Sequence, residues 1–163
     1  MTEIICISAT SKDRASKETV ARLLKVELEH ANKRVLIARI ADPLKHICRK
    51  WFGWDGRMDD TGRSFLQYVG TDIVRARQPN FWLDFTLNLL AMMGDEWDYV
   101  LIPDCRYPNE LDMERYGFQP RHIRIGNTRG LSNTPPVFAY VNNTSPIQLH
   151  SDIADIAIRL TNG

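Results

Sequence analysis

Short apolar runs alternate with longer segments of helical periodicity, and this order constrains the fold more than any other feature. The runs cover residues 4–8, 34–40, 99–104, 122–125 and 137–141. Helical spacing predicts helices at about 17–32, from 42 onward, and at about 61–77, 80–93, 109–116 and 145–160. Strands that alternate with helices indicate parallel pairing. We therefore predict a three-layer α/β sandwich with a five-stranded parallel sheet, whose ligands bind at the carboxyl ends of the strands.

Size, charge and cysteine content limit the class of protein. A chain of 163 residues predicts one domain, 1–163. The net charge of +1 gives no overall attraction to nucleic acid or to acidic membranes. Three widely separated cysteines show no disulfide or metal-ligand pattern, and no apolar run approaches the roughly 20 residues of a membrane span. We expect a cytoplasmic protein that binds small molecules and neither nucleic acid nor membrane; a homodimer is left open.

The segment after the first predicted strand has the layout of a phosphate-binding P-loop. A polar stretch, residues 9–16, leads into Lys17-Glu18-Thr19 at the start of a helix. Such a loop directs backbone N–H groups at phosphates, while the lysine contacts the outer ones. Lys17 is the candidate for that role, and Thr19 is placed near phosphate or Mg²⁺. This pattern alone does not exclude an ordinary helix start, since lysines are common there.

Two longer motifs resemble those of a known enzyme family. Residues 62–75 read GRSFLQYVGTDIVR and residues 102–110 read IPDCRYPNE. They resemble the GR-x-x-LQ-x-x-GTD-x-x-R and IPD-x-R-[FY]-PNE stretches of phage and bacterial deoxynucleoside monophosphate kinases. ADPLK at 41–45 and NFW at 80–82 match two further family motifs. The resemblance spans about 4–125 and implies a P-loop nucleotide-kinase fold, transfer of phosphate from ATP with Mg²⁺, and the cytoplasm of a bacterium or phage-infected host.

By this resemblance an acceptor site lies on helices between about 42 and 95. Its expected monophosphate-binding residues are Asp42, Lys45, Arg63, Gln67, Asp72 and Arg75. An arginine fork suits phosphate oxygens and an amide suits a base edge. Helical spacing places Arg63 above Gln67 and the polar set largely on one face. The alternatives are an ordinary solvated helix face and, for Asp42, a simple N-cap.

The same resemblance assigns catalytic roles to Lys17, Arg106 and Asp104. Asp104, at the end of the third strand, corresponds to a carboxylate that holds Mg²⁺ through water, with Thr19 as the second metal-site residue. Arg106 is a candidate phosphate clamp. An ion pair with Glu110, four residues later, is the alternative for Arg106, and the two roles are compatible.

The chain departs from the family at the loop and at the lid. The family loop reads G-x-x-G-x-GK, but this chain has Ser11, Arg14 and Ser16 at the glycine positions. Glycine allows positive φ and close approach of phosphate, and another residue in that conformation costs about 1–2 kcal/mol. We therefore expect impaired ATP binding by a site of Ser11, Arg14, Ser16, Lys17 and Thr19. The lid loop, about 126–136, is short, and its candidate arginines are Arg124 and Arg129.

Three functions remain open at this point. The first is a deoxynucleoside monophosphate kinase, which the presence of Lys17, Thr19 and Asp104 favours. The second is a catalytically impaired homologue that binds nucleoside monophosphate as a sensor, sequestering or regulatory protein, which the missing glycines favour. The third is a kinase for a different small acceptor, since fold does not dictate function.

Overall fold

The computed structural model describes residues 2–9, 14–106, 108–126, 137–142 and 145–163. The strands are β1 (Glu3–Ala9), β2 (Val35–Ile37), β3 (Tyr99–Ile102), β4 (Arg121–Ile125) and β5 (Ala139–Val141). The α-helices are α1 (Arg14–His30), α2 (Asp42–Trp51), α3 (Asp60–Gln67), α4 (Phe81–Met93) and α5 (Pro146–Thr161). A π-helical segment, Tyr68–Arg75, continues α3, and two 3₁₀ turns, Pro108–Leu111 and Glu114–Tyr116, follow β3.

The five strands form one parallel sheet in the order β2-β3-β1-β4-β5, which confirms the predicted fold class. β1 lies at the centre, with β3 on one side and β4 on the other. The connection from β1 runs towards β2, whereas the connection from its neighbour β4 runs the other way, to β5, so the direction of the connections reverses between β1 and β4. In open α/β sheets this reversal creates the crevice where ligands bind.

Each face of the sheet has its own apolar core. Ile5 and Ile7 of β1 pack with residues of α1 and α5. Ile4 and Cys6 face the other way and pack with residues of α2, α3, the π-helical segment and α4. Successive strand residues point to opposite faces, so β1 contributes to both cores and the domain has three layers. No helix in the described ranges is long and apolar enough to cross a membrane.

The start of α1 differs from the prediction. The helix begins at Arg14 rather than near residue 17, so Arg14 and Ser16 are helical and not part of a loop. Among the described non-glycine residues only Asn32 has a positive φ. Arg14 and Ser16 therefore do not strain a loop, and the expectation that they do is wrong. The connection from β1 to α1 comprises residues 10–13, and Ser11 lies outside the described residues.

The prediction of a regular α-helix over 61–77 is also wrong for the second half of that range. The hydrogen-bond pattern changes after Tyr68. The Tyr68 N–H still bonds to the carbonyl of Ser64, four residues back, whereas at the end of the π-helical segment the Ala76 N–H bonds to that of Thr71, five residues back. Gly70 lies in this segment against α2, where an added Cβ would come within 2.4 Å of Leu44 Cδ2. Its carbonyl also accepts a hydrogen bond from Trp82 Nε1 at 3.1 Å. The wider turns mean that α-helical counting misplaces Arg75 relative to Gln67.

Smaller differences concern element ends. The helix expected at 109–116 is two 3₁₀ turns, although Gly117 is left-handed (φ 79°) as a helix-ending glycine should be. β3 ends at Ile102, which leaves Asp104 just beyond the strand. Asp42 is the first residue of α2 and not its N-cap, a position that Ala41 takes.

Candidate functional site

Asp104 is held rigidly at the carboxyl end of β3. Its Oδ1 accepts the backbone N–H of Ile40 (3.0 Å) and its Oδ2 accepts that of Ala41 (2.9 Å). Burial raises the pKa of Asp104, although these two hydrogen bonds oppose the shift. The carboxyl group therefore joins the end of β3 to the segment that leads into α2.

Glu110 pairs with Arg75, and not with the Arg106 side chain as the local spacing had indicated. Glu110 Oε1 lies 2.7 Å from Arg75 Nη1, and the two side chains are 4% and 14% exposed. The other oxygen, Oε2, accepts the backbone N–H of Arg106 at 2.6 Å. Arg106 itself is exposed. One buried carboxylate thus orients Arg75 and fixes the backbone from which Arg106 extends, leaving that guanidinium accessible to a ligand.

A second ionic group joins α1 to the start of α2. Glu18 accepts hydrogen bonds from Arg39 on both carboxylate oxygens, one of them from Nε at 3.1 Å. Arg39 also lies 3.6 Å from Asp42. The hydrogen bonds from Arg39 hold the pKa of Glu18 below its usual value, and Glu18 raises the pKa of Arg39. Asp42 therefore belongs to this edge of the sheet, as predicted, through a partner that the motifs did not identify.

The predicted ATP-binding residues lie partly within the described chain. Lys17 is buried, at 7% exposure, in the first part of α1. Ser16 is half-buried and Thr19 is exposed. Ser11 and the side chain of Arg14 fall outside the described residues. The helix start thus places Lys17 beside the sheet, while Thr19 faces solvent.

The predicted acceptor residues divide into two sets. Arg75 and Asp42 lie in the ionic groups at the sheet edge, as just described. Lys45 is half-buried, whereas three residues are exposed: Arg63, Gln67 and Asp72. The Arg63 guanidinium donates from Nε to the carbonyl of Met58 at 3.0 Å. Within the described ranges, no side-chain hydrogen bond or ion pair connects this exposed set to Asp104 or Glu110.

Several motif residues have a clear packing role. An added Cβ at Gly62 would lie 2.0 Å from the carbonyl oxygen of Arg57. The Gly62 N–H donates to Asp59, the N-cap of α3, at 2.8 Å. The side-chain amides of Asn80 and Asn109 are hydrogen-bonded at 2.6 Å, which links the motif at 80–82 to the motif at 102–110. Part of the family-like pattern therefore serves to hold the helical layer on the sheet.

One polar cluster was missed, and one predicted residue is corrected. Arg124 lies within β4 and is buried, so it is not a lid residue; Arg129 is outside the described residues. His122, also buried, forms a 2.6 Å hydrogen bond between its Nε2 and Ser8 Oγ. Burial, and then the charge of Arg124, lower the pKa of His122. This cluster could have been inferred from the sequence, because a histidine and an arginine are unusual inside a short buried strand.

The donor set at Asp104 fits an indirect Mg²⁺ role. In the described part of the chain, no three His, Cys, Asp or Glu side chains are grouped to hold a metal ion. Each Asp104 oxygen accepts one hydrogen bond and keeps acceptor capacity for a water molecule. Mg²⁺ in phosphoryl-transfer sites is bound largely by substrate phosphates and water, so a single carboxylate is sufficient.

Comparison with known proteins supports the fold. No protein-family model and no curated protein matched the sequence. The structure is similar to that of a mutant of the Mycobacterium tuberculosis APS kinase CysC, with a TM-score of 0.56. The match covers 99% of this chain and 98% of that chain, at 11% sequence identity. The chain therefore shares the α/β fold of that kinase.

Proposed function

We propose that this protein transfers a phosphoryl group from ATP to a deoxynucleoside monophosphate. The observation that carries the proposal is the position of Lys17 and Asp104. Lys17 lies at the start of the helix that follows β1, and Asp104 follows β3, the parallel neighbour of β1. A lysine and a carboxylate at the carboxyl ends of adjacent central strands form the minimal charge arrangement for a nucleotide and its metal ion.

The chemistry expected of this arrangement is positioning and charge neutralisation. An acceptor phosphate oxygen attacks the γ-phosphorus in line, the bond from that phosphorus to the β–γ bridging oxygen breaks, and ADP leaves. Lys17 contacts the outer phosphates, and the exposed Arg106 guanidinium stabilises the equatorial oxygens of the transferred group. Mg²⁺, when bound with ATP, would supply further neutralisation. Asp104, fixed by two backbone N–H groups, would help to hold that ion through water.

The choice of a monophosphate acceptor rests on the helical layer. Arg63 and Gln67 are exposed on α3, one turn apart, and offer a charged fork and an amide to a ligand. Arg75 follows in the π-helical segment, oriented by Glu110. The resemblance of residues 62–75 and 102–110 to deoxynucleoside monophosphate kinases supports this acceptor over others.

A second candidate is a binding protein that retains the monophosphate site without turnover. The observation that favours it is the early start of α1 at Arg14. Only residues 10–13 then connect β1 to α1, which is shorter than the glycine-rich cradle of the family motif. A protein of this kind would sense or sequester nucleotides.

A coupled assay with ATP, Mg²⁺ and each deoxynucleoside monophosphate tests the proposal. APS, after which the structural neighbour is named, serves as the alternative acceptor. We expect turnover with at least one monophosphate and a loss on the order of 100-fold in kcat for Arg106→Ala. Arg57→Ala is the matched control, because Arg57 is also exposed and pairs only locally, with Asp55 at 3.3 Å.

Titration calorimetry separates the two candidates. Arg63→Ala should weaken monophosphate binding by about 1.5–3 kcal/mol without affecting folding, because Arg63 is exposed. Monophosphate binding without turnover would favour the binding protein. Neither binding nor turnover with any monophosphate would reject both candidates, and turnover with APS alone would identify a kinase for a different acceptor.

A further inference from the structure

Arg124 carries a buried positive charge for which the described residues provide no partner. The residue is 7% exposed, and its buried Nε has no hydrogen-bond partner among them. Across the described ranges, no hydrogen bond or ion pair involves its side chain. Of the segments outside those ranges, residues 127–136, which follow β4, contain no Asp or Glu, whereas residues 10–13, which follow β1, contain one carboxylate, Asp13. An arginine cannot escape this situation by losing its proton, so its burial is costly until an anion binds.

The carboxylates of Glu110 and Asp104, which follow β3, already have partners. Glu110 holds Arg75 and the backbone N–H of Arg106. Asp104 accepts from two backbone N–H groups ahead of α2. The described residues therefore supply no counter-ion to Arg124. A bridging water would satisfy Nε but would not neutralise the guanidinium charge.

Two further polar groups surround the same place. Ser8 is the parallel-sheet partner of Arg124, and its Oγ lies 2.6 Å from His122 Nε2. His122 is 4% exposed, and its Nδ1 is also buried without a partner. Residues two apart in a strand share a face, so His122 and Arg124 point the same way. A buried cation, a neutral imidazole with an unused nitrogen and a hydroxyl group are thus grouped beside the carboxyl end of β1.

The face of the sheet identifies the side of the crevice. Ile123 and Ile125 point into the core that contains residues of α1 and α5. Because Arg124 alternates with them, it points to the opposite face, on which residues of α2, α3 and α4 pack against β1 and β3. The helical layer that carries Arg75 is on that same side. An anion at Arg124 therefore lies on the acceptor side of the sheet, away from α1.

We propose that Arg124, assisted by His122 and Ser8, binds the phosphate group of the acceptor from the sheet side. The identification of the anion as the acceptor's phosphate rests on the proposed function, whereas the anion site itself does not. A phosphate has several acceptor oxygens and satisfies the guanidinium and the unused imidazole nitrogen together. The acceptor is then held between a strand arginine and the arginines of the helical layer.

Thermal unfolding of the full chain with inorganic phosphate tests the anion site. The variants are Arg124→Met, which removes the charge at similar length, and Arg124→Lys, which keeps it. Arg121→Met is the matched control, because Arg121 lies on the same strand but is half-buried and pairs with Glu3 at 3.2 Å. Potassium chloride at equal ionic strength gives the baseline, and Arg121→Met shows whether the loss of another arginine from β4 changes the phosphate increment.

We expect phosphate to raise the Tm of the wild type and of Arg121→Met by equal amounts. In Arg124→Met the Tm in chloride should be higher than that of the wild type, because an unpaired buried charge has been removed. Its increment with phosphate should fall to the general stabilisation that phosphate gives any protein, and phosphate affinity by calorimetry should fall on the order of 10- to 100-fold. Should Arg124→Met fail to fold, a reduced phosphate increment in Arg124→Lys supports the site.

An unchanged phosphate increment in Arg124→Met or in Arg124→Lys would overturn the proposal, as would a wild type that gains nothing beyond the general effect of phosphate. A kinase assay without turnover leaves the anion site standing and rejects only the proposed reaction. Conversely, turnover that is unaffected by Arg124→Met would leave the proposed reaction intact and reject the role of Arg124.

Discussion

Replacement of Glu110 with alanine should destabilise the fold by about 3–5 kcal/mol. The Glu110 carboxylate is 4% exposed, and it lies 2.7 Å from the Arg75 guanidinium, which is 14% exposed. Its removal takes this counter-ion from a buried cation and the acceptor from the backbone N–H of Arg106. A lost partner at a buried N–H alone costs about 1–3 kcal/mol, so the larger part of the effect comes from the charge.

Urea unfolding at neutral pH, followed by tryptophan fluorescence, measures this effect. Glu110→Gln keeps the shape and one acceptor, and its cost should be intermediate, about 1–3 kcal/mol. Glu29→Gln is the control, since Glu29 pairs with Lys25 at 3.3 Å and the two side chains are 46% and 36% exposed. That change should cost about 0.5 kcal/mol or less.

A double-mutant cycle with Arg75→Met isolates the pair itself. Because Arg75→Met removes the buried charge, the cost of Glu110→Ala should be smaller in that background than in the wild type. A Glu110→Ala cost below about 1 kcal/mol, with an unchanged denaturant dependence, would show that the pair contributes little to stability, since loss of one partner of a buried ion pair should cost several kcal/mol.

Three other changes test separate parts of the structure. Gly70→Ala should lower the free energy of unfolding, measured in urea, by about 1–3 kcal/mol, because the added Cβ meets Leu44. The loss should be smaller in a Leu44→Ala background, and equal losses in both backgrounds would contradict this packing. Burial lowers the pKa of His122. As the pH falls below about 6.5, the unfolded state therefore binds a proton before the folded state does, and the protein loses stability until the pH reaches the folded-state pKa. His122→Gln should reduce this loss in unfolding measurements at about pH 7.5 and 5.5, and an identical pH dependence would show that the pKa of His122 is the same in the folded and unfolded states. Ser16→Gly should lower Tm slightly, since position 16 is helical and glycine costs up to about 0.5 kcal/mol more than serine there; a rise in Tm would indicate a strained loop instead.

The sheet could be predicted because its strands carry their own signal. Residues 4–8 and 99–102 are continuous apolar runs, and burial on both faces of a parallel sheet requires that pattern. The start of α1 could not be predicted, because the polar residues 9–16 have no periodicity to mark a boundary. The π-helical segment depends on contacts of Gly70 with Leu44 and Trp82, which are distant in sequence.

The site was predictable in its position and only partly in its pairing. Asp104 was expected at the carboxyl edge, because it directly follows an apolar run. Sequence spacing offered a local pair between Arg106 and Glu110 as the alternative role of Arg106, whereas in the structure Arg75 is the partner of that carboxylate. Arg124 was assigned to the lid although it falls within the predicted strand 122–125. Its position opposite Ser8 follows only from the sheet register.

The π-helical segment determines where the chain tolerates a change in length. Each residue of an α-helix advances the following side chains by about 100°, so a single deletion within α3 would turn Arg75 away from Glu110. Deletion of one residue within Tyr68–Arg75 has a different effect. The wider π-helical turns can then become α-helical turns, and the flanking helices keep their directions. Homologous chains that are one residue shorter at this point should therefore keep both motifs and the contact of α4 with the sheet.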